Sequence, residues 1–331
     1  FKTLFKTMQT NEQMLSAIEN YLAQAEFPAE PELLYAPISY SLAGGGKRLR
    51  PMLLTLAYGI FSDDVQQALP AAAAVEVFHN FTLLHDDIMD RSDTRRGKPA
   101  VHTRWNDNVA ILSGDAMMIY AYKLLCGCDR RVLPQLLETF NETAIGVCEG
   151  QQYDMDFESR DDVTVDRYLE MIRLKTGVLL AGALKLGAIC AEAQPWQAEL
   201  LYNFGINVGL AFQLQDDLFD TYGDAAVFGK PIGGDILAGK KTFLLTTALK
   251  TADAATRGEL LARLHDGGMS AAEKIETVRG IYDRLGVRKI TEKAIADYFR
   301  NADRILNSLE VGIERIVPLQ ELGETLLNRK K

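Results

Sequence analysis

The chain has 331 residues, 36 of them Lys or Arg and 45 Asp or Glu, so it carries a net charge of −9, and 47% of it is hydrophobic. The acid surplus argues against a general nucleic-acid or anionic-membrane binder, while the apolar share is ample for a buried core. No run approaches 18 apolar residues, and Phe1 to Glu12 holds no segment of signal-peptide length, so a soluble, cytoplasmic protein without integral membrane association is expected.

Apolar residues recur at helical spacing nearly everywhere, as in Met14, Ile18, Tyr21 and Leu22, then Leu133, Leu136, Leu137 and Phe140, then Ile290, Ala294, Ile295, Tyr298 and Phe299. Breaks are predicted at Phe27 to Pro31, Gly44 to Gly46, Ser62 to Asp64, Arg91 to Pro99, Gly127 to Arg131, Glu158 to Val163, Ala193 to Trp196, Tyr222 to Lys241 and His265 to Ser270. Alternating strand-like segments are hard to find, so the expectation is about a dozen helices in one all-α domain spanning 1–331. Cys126, Cys128, Cys148 and Cys190 lack metal-ligand spacing and read as buried small hydrophobes in a reducing compartment.

The first chemical signal is Gly44-Gly45-Gly46-Lys47-Arg48-Leu49-Arg50-Pro51, three cations behind a glycine hinge and beside a proline suited to a helix start. Taken alone it is either a solvated basic turn or a phosphate-binding segment. His79 and His85 then bracket a helix running into Asp86-Asp87-Ile88-Met89-Asp90, and for His85 a hydrogen-bonded core role and a functional one both stand. Arg91-Ser92-Asp93-Thr94-Arg95-Arg96-Gly97-Lys98 brings a second cationic segment directly after these acids. The acid pattern returns as Asp216-Asp217-Leu218-Phe219-Asp220, followed by the longest irregular stretch, with its glycines and Lys230, Lys240 and Lys241.

On a helix, positions i and i+4 share a face, so Asp86 pairs with Asp90 and Asp216 with Asp220, while Asp87 and Asp217 flank them. Carboxylates inside apolar helices repel one another and persist where cations neutralise them. Clusters of oxygen donors favour a hard divalent ion, and Mg²⁺ completes its octahedron with water and phosphate, which suggests a diphosphate held through magnesium.

Gly45-Gly46-Lys47-Arg48-Leu49-Arg50-Pro51, His85 to Asp90, Arg95-Arg96-Gly97, Lys175-Thr176-Gly177 and Phe212 to Asp220 occur in this order, and from Gly44 to about Leu245 the chain resembles the trans-isoprenyl diphosphate synthases. The resemblance implies the isoprenoid synthase fold, a large helical bundle with a central active-site cavity, commonly homodimeric. It implies that Asp86, Asp90 and Asp216 bind magnesium, three ions per site when substrate is bound, with Asp87, Asp217 and Asp220 as further ligands or supporting groups. Arg95, Lys175 and Lys230 would contact the allylic diphosphate; Lys47, Arg50, His79 and Arg96 match the isopentenyl diphosphate site; Thr176 and Gln213 match positions facing the reacting carbons. Lys240 fits a loop that closes over substrate, although Gly233-Gly234-Asp235 varies among relatives. The reaction implied is ionisation of the allylic diphosphate, attack by the isopentenyl double bond and loss of a proton, plausibly to the departing diphosphate.

Phe81 lies five residues before Asp86, about 7.5 Å along a helix, where it is either ordinary core or a floor for the growing hydrocarbon, with Thr82 small beside it and Met117, Met118 and Tyr120 as further wall. Without a two-residue insertion between Asp87 and Asp90, a C20 product is expected, with C15 the near rival. A longer-chain synthase is the alternative. A terpene cyclase normally lacks the second aspartate pattern, and a non-catalytic synthase subunit typically loses aspartates, whereas all six are present here.

Overall fold

A computed structural model describes residues 10–25, 27–223 and 232–327, and the chain divides into two compact units. The first comprises Phe1–Asn141, Gly182–Leu201 and Val311–Leu319; the second comprises Glu142–Ala181, Tyr202–Glu310 and Gln320–Lys331. Among the described residues the regular structure is helical apart from one two-stranded hairpin.

The chain opens with α1 (Asn11–Ala23), α2 (Glu32–Leu42), α3 (Leu49–Phe61), a 3₁₀ turn at Val65–Ala68 and α4 (Leu69–Met89). A hairpin of β1 (Thr94–Arg95) and β2 (Lys98–Pro99), then α5 (Val101–Arg104) and α6 (Asp107–Leu125), follow, and the continuous part of the first unit ends inside the next helix. Local chemistry explains the helix starts. Thr10 and Gln13 exchange the two bonds of a capping box on α1, and the side chains of Asn106, Thr164, Thr242, Asp253 and Ser270 each accept a first-turn backbone N–H. Pro70 sits in the first turn of α4, where a missing N–H costs nothing. From Ala71 to Phe78 that helix is buried all round, and it packs against α3 and α6 as the central post of this unit.

The remaining helices are α7 (Leu133–Glu158), α8 (Val165–Ile172), a single π turn at Arg173–Gly177, α9 (Val178–Cys190) and α10 (Pro195–Tyr222). After these come α11 (Gly234–Ala238), α12 (Phe243–Thr251), α13 (Ala254–His265), α14 (Ala271–Arg284), α15 (Val287–Leu306) and α16 (Ile313–Leu327). In the second unit Leu218 of α10 meets Leu244, Leu245, Val278 and Ile281 in one core, while Tyr168, Met171 and Ile172 of α8 pack with Leu210, Leu214 and Phe243 in another. Among the described residues no helix is long and apolar enough to cross a membrane.

Four sequence expectations need correction. Cys126 and Cys148 are exposed, so the reading of four buried cysteines holds fully only for Cys128; Cys190 is half-buried. Turn signals at Arg96-Gly97 build a hairpin where only a loop was expected, and α11 forms inside the stretch predicted to be irregular. Helix boundaries at Trp105, Ala252, Gly286 and Asn307–Gly312 were not predicted, because none carries more than one Gly or Pro signal in a polar cluster.

Candidate active site

In the first unit, Gly45 and Gly46 take φ of +75° and +126°, and Arg48 takes +46°, reversing the chain into α3. Arg48 turns inward: its Nη1 donates to Glu76 Oε1 at 2.7 Å and its Nη2 to Leu42 O at 2.7 Å, both partners buried. Arg50, two residues on, donates from Nη1 to His79 Nε2 at 3.0 Å. A guanidinium has no lone pair to offer, so His79 accepts at Nε2 and carries its proton on Nδ1. Arg96 lies over the glycine loop and donates to Gly45 O. A Cβ on Gly46 would fall 2.8 Å from the Arg96 Cζ, so a side chain there would push the guanidinium away.

These groups hold more positive charge than their surroundings balance. Burial pulls the Arg50 guanidinium down to about 10, with Arg96 adding to the effect against Glu76. Burial first, then Arg50, Arg96 and Arg95, push His79 well below the usual imidazole value. Arg96 is lowered by its own partial burial and by Arg48 and Arg95. Glu76 opposes the lowering of Arg50 and Arg96 but is already bonded to Arg48 and to Asn80 Nδ2 at 3.0 Å. The Arg50 Nε is buried with no hydrogen-bond partner among the described residues. A cationic pocket with an unsatisfied donor is suited to an anion. Lys47 stands exposed on the same loop.

At the other end of α4 the acids divide by face. Asp86 is half-buried and Asp90 exposed, whereas Asp87 points inward at 3% exposure. Arg91, at φ +51°, ends the helix, and Arg96 and Gly97 at +53° and +74° form a two-residue turn that folds the next segment back. Tyr40 pins this hairpin by donating to Pro99 O at 2.8 Å. Arg95 is thereby delivered to Asp87 Oδ1, with Nε at 2.9 Å and Nη2 at 2.5 Å, and lies 3.5 Å from Asp86 Oδ2. Burial raises the Asp87 carboxyl, and the Arg95 bond works against that rise. For Arg95, burial disfavours the charge, but Asp87, Asp86 and Asp90 outweigh it and raise the guanidinium. Tyr40, Asn80, Leu84, Asp87, Arg95 and Arg96 line a cavity of about 40 Å³ here.

His85 bonds through Nε2 to Ile111 O at 3.0 Å and fills the notch at Gly114, which supports the core role of the two left open. Phe81 is buried, 5.4 Å from the Phe78 ring and 4.8 Å from that of His85. Met117 is buried beside half-buried Met118, and Tyr120 meets Phe27 edge-on at 5.1 Å.

In the second unit Asp216 and Asp220 are half-buried on α10 and Asp217 is buried. Asp217 accepts from Tyr168 Oη, from Gln213 Nε2 at 3.2 Å and from Phe243 N at 3.2 Å. Burial still lifts it to about 6, since those three bonds only partly offset the loss of water. Asp220 Oδ2 accepts from Asp235 N at 2.9 Å. Asp235 is pushed up to about 7 by burial and then by Asp220 and Asp217, with Lys240 pulling the other way. This unit thus gathers an excess of negative charge. Lys175 lies in the π turn and bonds Asp154 Oδ2 at 2.5 Å, and Thr176 Oγ1 donates to Gln213 Oε1 at 3.3 Å. Single π turns inside helices recur at functional sites. Lys230 lies outside the described residues. Lys240 is exposed, its backbone N–H bonded to Asp235 O at 2.9 Å.

Comparison with known proteins settles the lineage. The polyprenyl synthetase family model matches residues 31–282. The chain belongs to the polyprenyl synthetase family. Its relatives include the short-chain isoprenyl diphosphate synthase of Methanocaldococcus jannaschii, 39% identical over 84% of this chain and 85% of that one. A crystal structure of a geranylgeranyl pyrophosphate synthase superposes with TM-score 0.93 at 43% identity, covering 98% of this chain and 100% of the other. The geranylgeranyl pyrophosphate synthase of Corynebacterium glutamicum, crystallised with isoprenyl diphosphate and magnesium, superposes at 0.83 with 29% identity over 96% and 98%. As a polyprenyl synthetase the chain is a short-chain trans-prenyl diphosphate synthase, a prenyltransferase.

Sequence reasoning missed Tyr168, Asp154 and Gly150, which hold Asp217 and Lys175 in place. A Cβ on Gly150 would lie 2.2 Å from Lys175 N, so only glycine lets α7 approach the π turn this closely. Each acts across a gap of many residues, and only Gly150, an isolated glycine within a helical pattern, left a local signal.

Proposed function

We propose that this enzyme joins isopentenyl diphosphate to an allylic prenyl diphosphate, dimethylallyl, geranyl or farnesyl, with geranylgeranyl diphosphate as end product and farnesyl diphosphate as near rival. The observation that carries this reading is the pocket of Arg50, His79 and Arg96, whose proton affinities are all depressed by burial and by neighbouring guanidinium groups. Such a pocket gains most from a multiply charged anion. A site for a second diphosphate is what chain elongation needs and cyclisation of a single diphosphate does not.

Lys47, Arg50, His79 and Arg96 are assigned to isopentenyl diphosphate, Arg95, Lys175 and Lys230 to the allylic partner, and Lys240 to the loop that closes over the substrate. Asp86, Asp90, Asp216 and Asp220 are assigned to three magnesium ions. The donors fit that metal: all are oxygens, and Asp86 and Asp90 offer two accessible carboxylates one turn apart. Among the described residues no group of three or more metal-binding side chains is gathered. When bound, magnesium neutralises charge on the diphosphate leaving group. The magnesium complex of the Corynebacterium relative supports the choice.

The protein's own groups do the rest. Asp87 and Asp217 position their neighbours, the first by orienting Arg95 and the second by fixing Gln213. Arg95 and Lys175 stabilise the departing diphosphate, and the bonded oxygens of Thr176 and Gln213 face the allylic cation. The diphosphate takes the final proton, so no general-base side chain is required. Phe81 forms the floor of the hydrocarbon pocket. Ile111, Leu112 and Ile119, exposed along α6 at 44%, 61% and 65%, support a homodimer, and the cytoplasm is the expected compartment.

The test is to incubate the enzyme with Mg²⁺, isopentenyl diphosphate and each allylic primer, then size the dephosphorylated alcohols. Arg50→Ala removes a charge-assisted bond of about 1.5–3 kcal/mol, so KM for isopentenyl diphosphate rises roughly 10- to 150-fold. An effect on the allylic KM alone would overturn the assignment.

A further inference from the structure

Away from the residues assigned above, the first unit holds a close pair of thiols. Cys190, the last residue of α9, and Cys128, in the connection between α6 and α7, line one cavity and lie close enough to shift each other's proton affinity. Cys128 also feels the backbone N–H of Ala71, in the first turn of α4, where helix N–H groups lack partners of their own, and this favours its thiolate. The preceding turn is wedged in place, since a Cβ on Gly127 would rest 3.6 Å from Pro70 Cβ at that same helix start. An ion-pair strap spans the two segments alongside the sulfurs: Arg131 Nη2 reaches Asp129 Oδ2 at 2.7 Å and Glu192 Oε1 at 3.0 Å. Both cysteines line a cavity of about 210 Å³ together with Tyr58, Gln67 and Glu192. None of these residues is assigned to diphosphate or metal.

We propose that Cys128 and Cys190 form a peroxide-reactive dithiol that closes reversibly to a disulfide. Cys128 is the attacking sulfur. The Cys190 thiol beside it and the Ala71 N–H at the start of α4 lower its thiol against burial, whereas Cys128, and then burial, raise that of Cys190. The cavity admits a molecule the size of hydrogen peroxide. Cys128 thiolate attacks one peroxide oxygen, the O–O bond breaks, and hydroxide leaves with the proton given up by the thiol, as water. Cys190 sulfur then displaces the hydroxyl of the resulting sulfenic acid, the S–S bond forms, and a second water carries away the Cys190 proton. Two thiols and one peroxide thus give one disulfide and two waters, with two electrons passed from sulfur to oxygen. A soft metal is the competing use of paired cysteines, but no third ligand joins them among the described residues.

Cys126 and Cys148, both exposed, serve as internal comparison. The full-length protein, as wild type and as the Cys126→Ser/Cys148→Ser variant, is treated with stoichiometric hydrogen peroxide, alkylated and mapped by mass spectrometry. The expected result is a Cys128–Cys190 cross-linked peptide two mass units lighter than its thiol form in both proteins. A rise in Tm of several degrees should accompany it, because the bond closes a long loop, and dithiothreitol should reverse it. In Cys190→Ser, dimedone should label Cys128. Alkylatable Cys128 and Cys190 after peroxide treatment, or cross-links confined to Cys126 and Cys148, would overturn the proposal. So would a Cys128–Cys190 bond that leaves Tm unchanged and resists dithiothreitol.

Discussion

Adding one methyl group at Gly150 tests how the lysine-bearing π turn is held. In an exposed helix interior, Gly→Ala is favourable by about 1 kcal/mol. Here the new Cβ would sit 2.2 Å from Lys175 N and 2.6 Å from both Leu174 C and Lys175 Cα. Those atoms are backbone, so no side-chain rotation relieves the contact, and α7 and the π turn must separate. Overpacking of this kind costs typically 1–3 kcal/mol. The upper end applies, because the whole clash falls on main chain, and it outweighs the propensity gain to leave a net loss of about 2 kcal/mol. At about 2.1 cal/mol/K of unfolding entropy per residue, a chain of 331 residues shifts by roughly 1.4 °C per kcal/mol, so Tm should fall by about 3 °C. Lys175 would be displaced from Asp154, and kcat should fall as well. Gly258→Ala is the control: it lies on α13, where an added Cβ meets nothing within 4 Å, and it should gain up to about 1 kcal/mol. Thermal unfolding by circular dichroism, with kcat measured in parallel, gives both readouts. A Gly150→Ala enzyme as stable as Gly258→Ala and fully active would refute the packing argument.

Arg48→Met leaves Glu76 as a buried acid without its ion-pair partner and should cost about 3–5 kcal/mol in urea unfolding, a loss that Arg48→Met/Glu76→Met largely recovers. His79 has its folded value well below 6.5, so below that pH the unfolded chain binds a proton that the native one refuses. Its contribution is therefore present above pH 6.5 and lost as pH falls toward the folded value; inorganic diphosphate should move the His79 NMR titration upward, and an unmoved midpoint would count against anion binding there. Phe81→Ala should shift the chromatographed alcohols toward longer chains, whereas an unchanged length distribution would show that Phe81 is core and no floor.

The chemistry of the site was legible because it is written in residue types that are costly to place by chance. Six aspartates in two apolar helices and two cationic segments can be read without coordinates. The roles within each acidic triplet were not. Asp86 and Asp87 are adjacent and chemically identical, and only the packing of α4 turns Asp87 inward to Arg95. Asp217 is likewise distinguished by Tyr168, 49 residues away. Helix spacing gave the fold class, while the hairpin rests on two positive φ values at Arg96 and Gly97, and arginine does not advertise that conformation. Lys175 and Thr176 read as ordinary helix, and the π turn that presents them reflects a close approach by α7.

His79 and Asp86 stand seven residues apart on α4, two full turns, so they share a side of the helix about 10.5 Å from each other. The gap between the two proposed headgroup positions is therefore measured out by main-chain hydrogen bonds, like marks on a ruler, and no side-chain rotation can stretch it. Inserting a single residue between them would swing one mark by about 100° relative to the other, and an intact helix would then carry two binding groups that no longer look toward the same space.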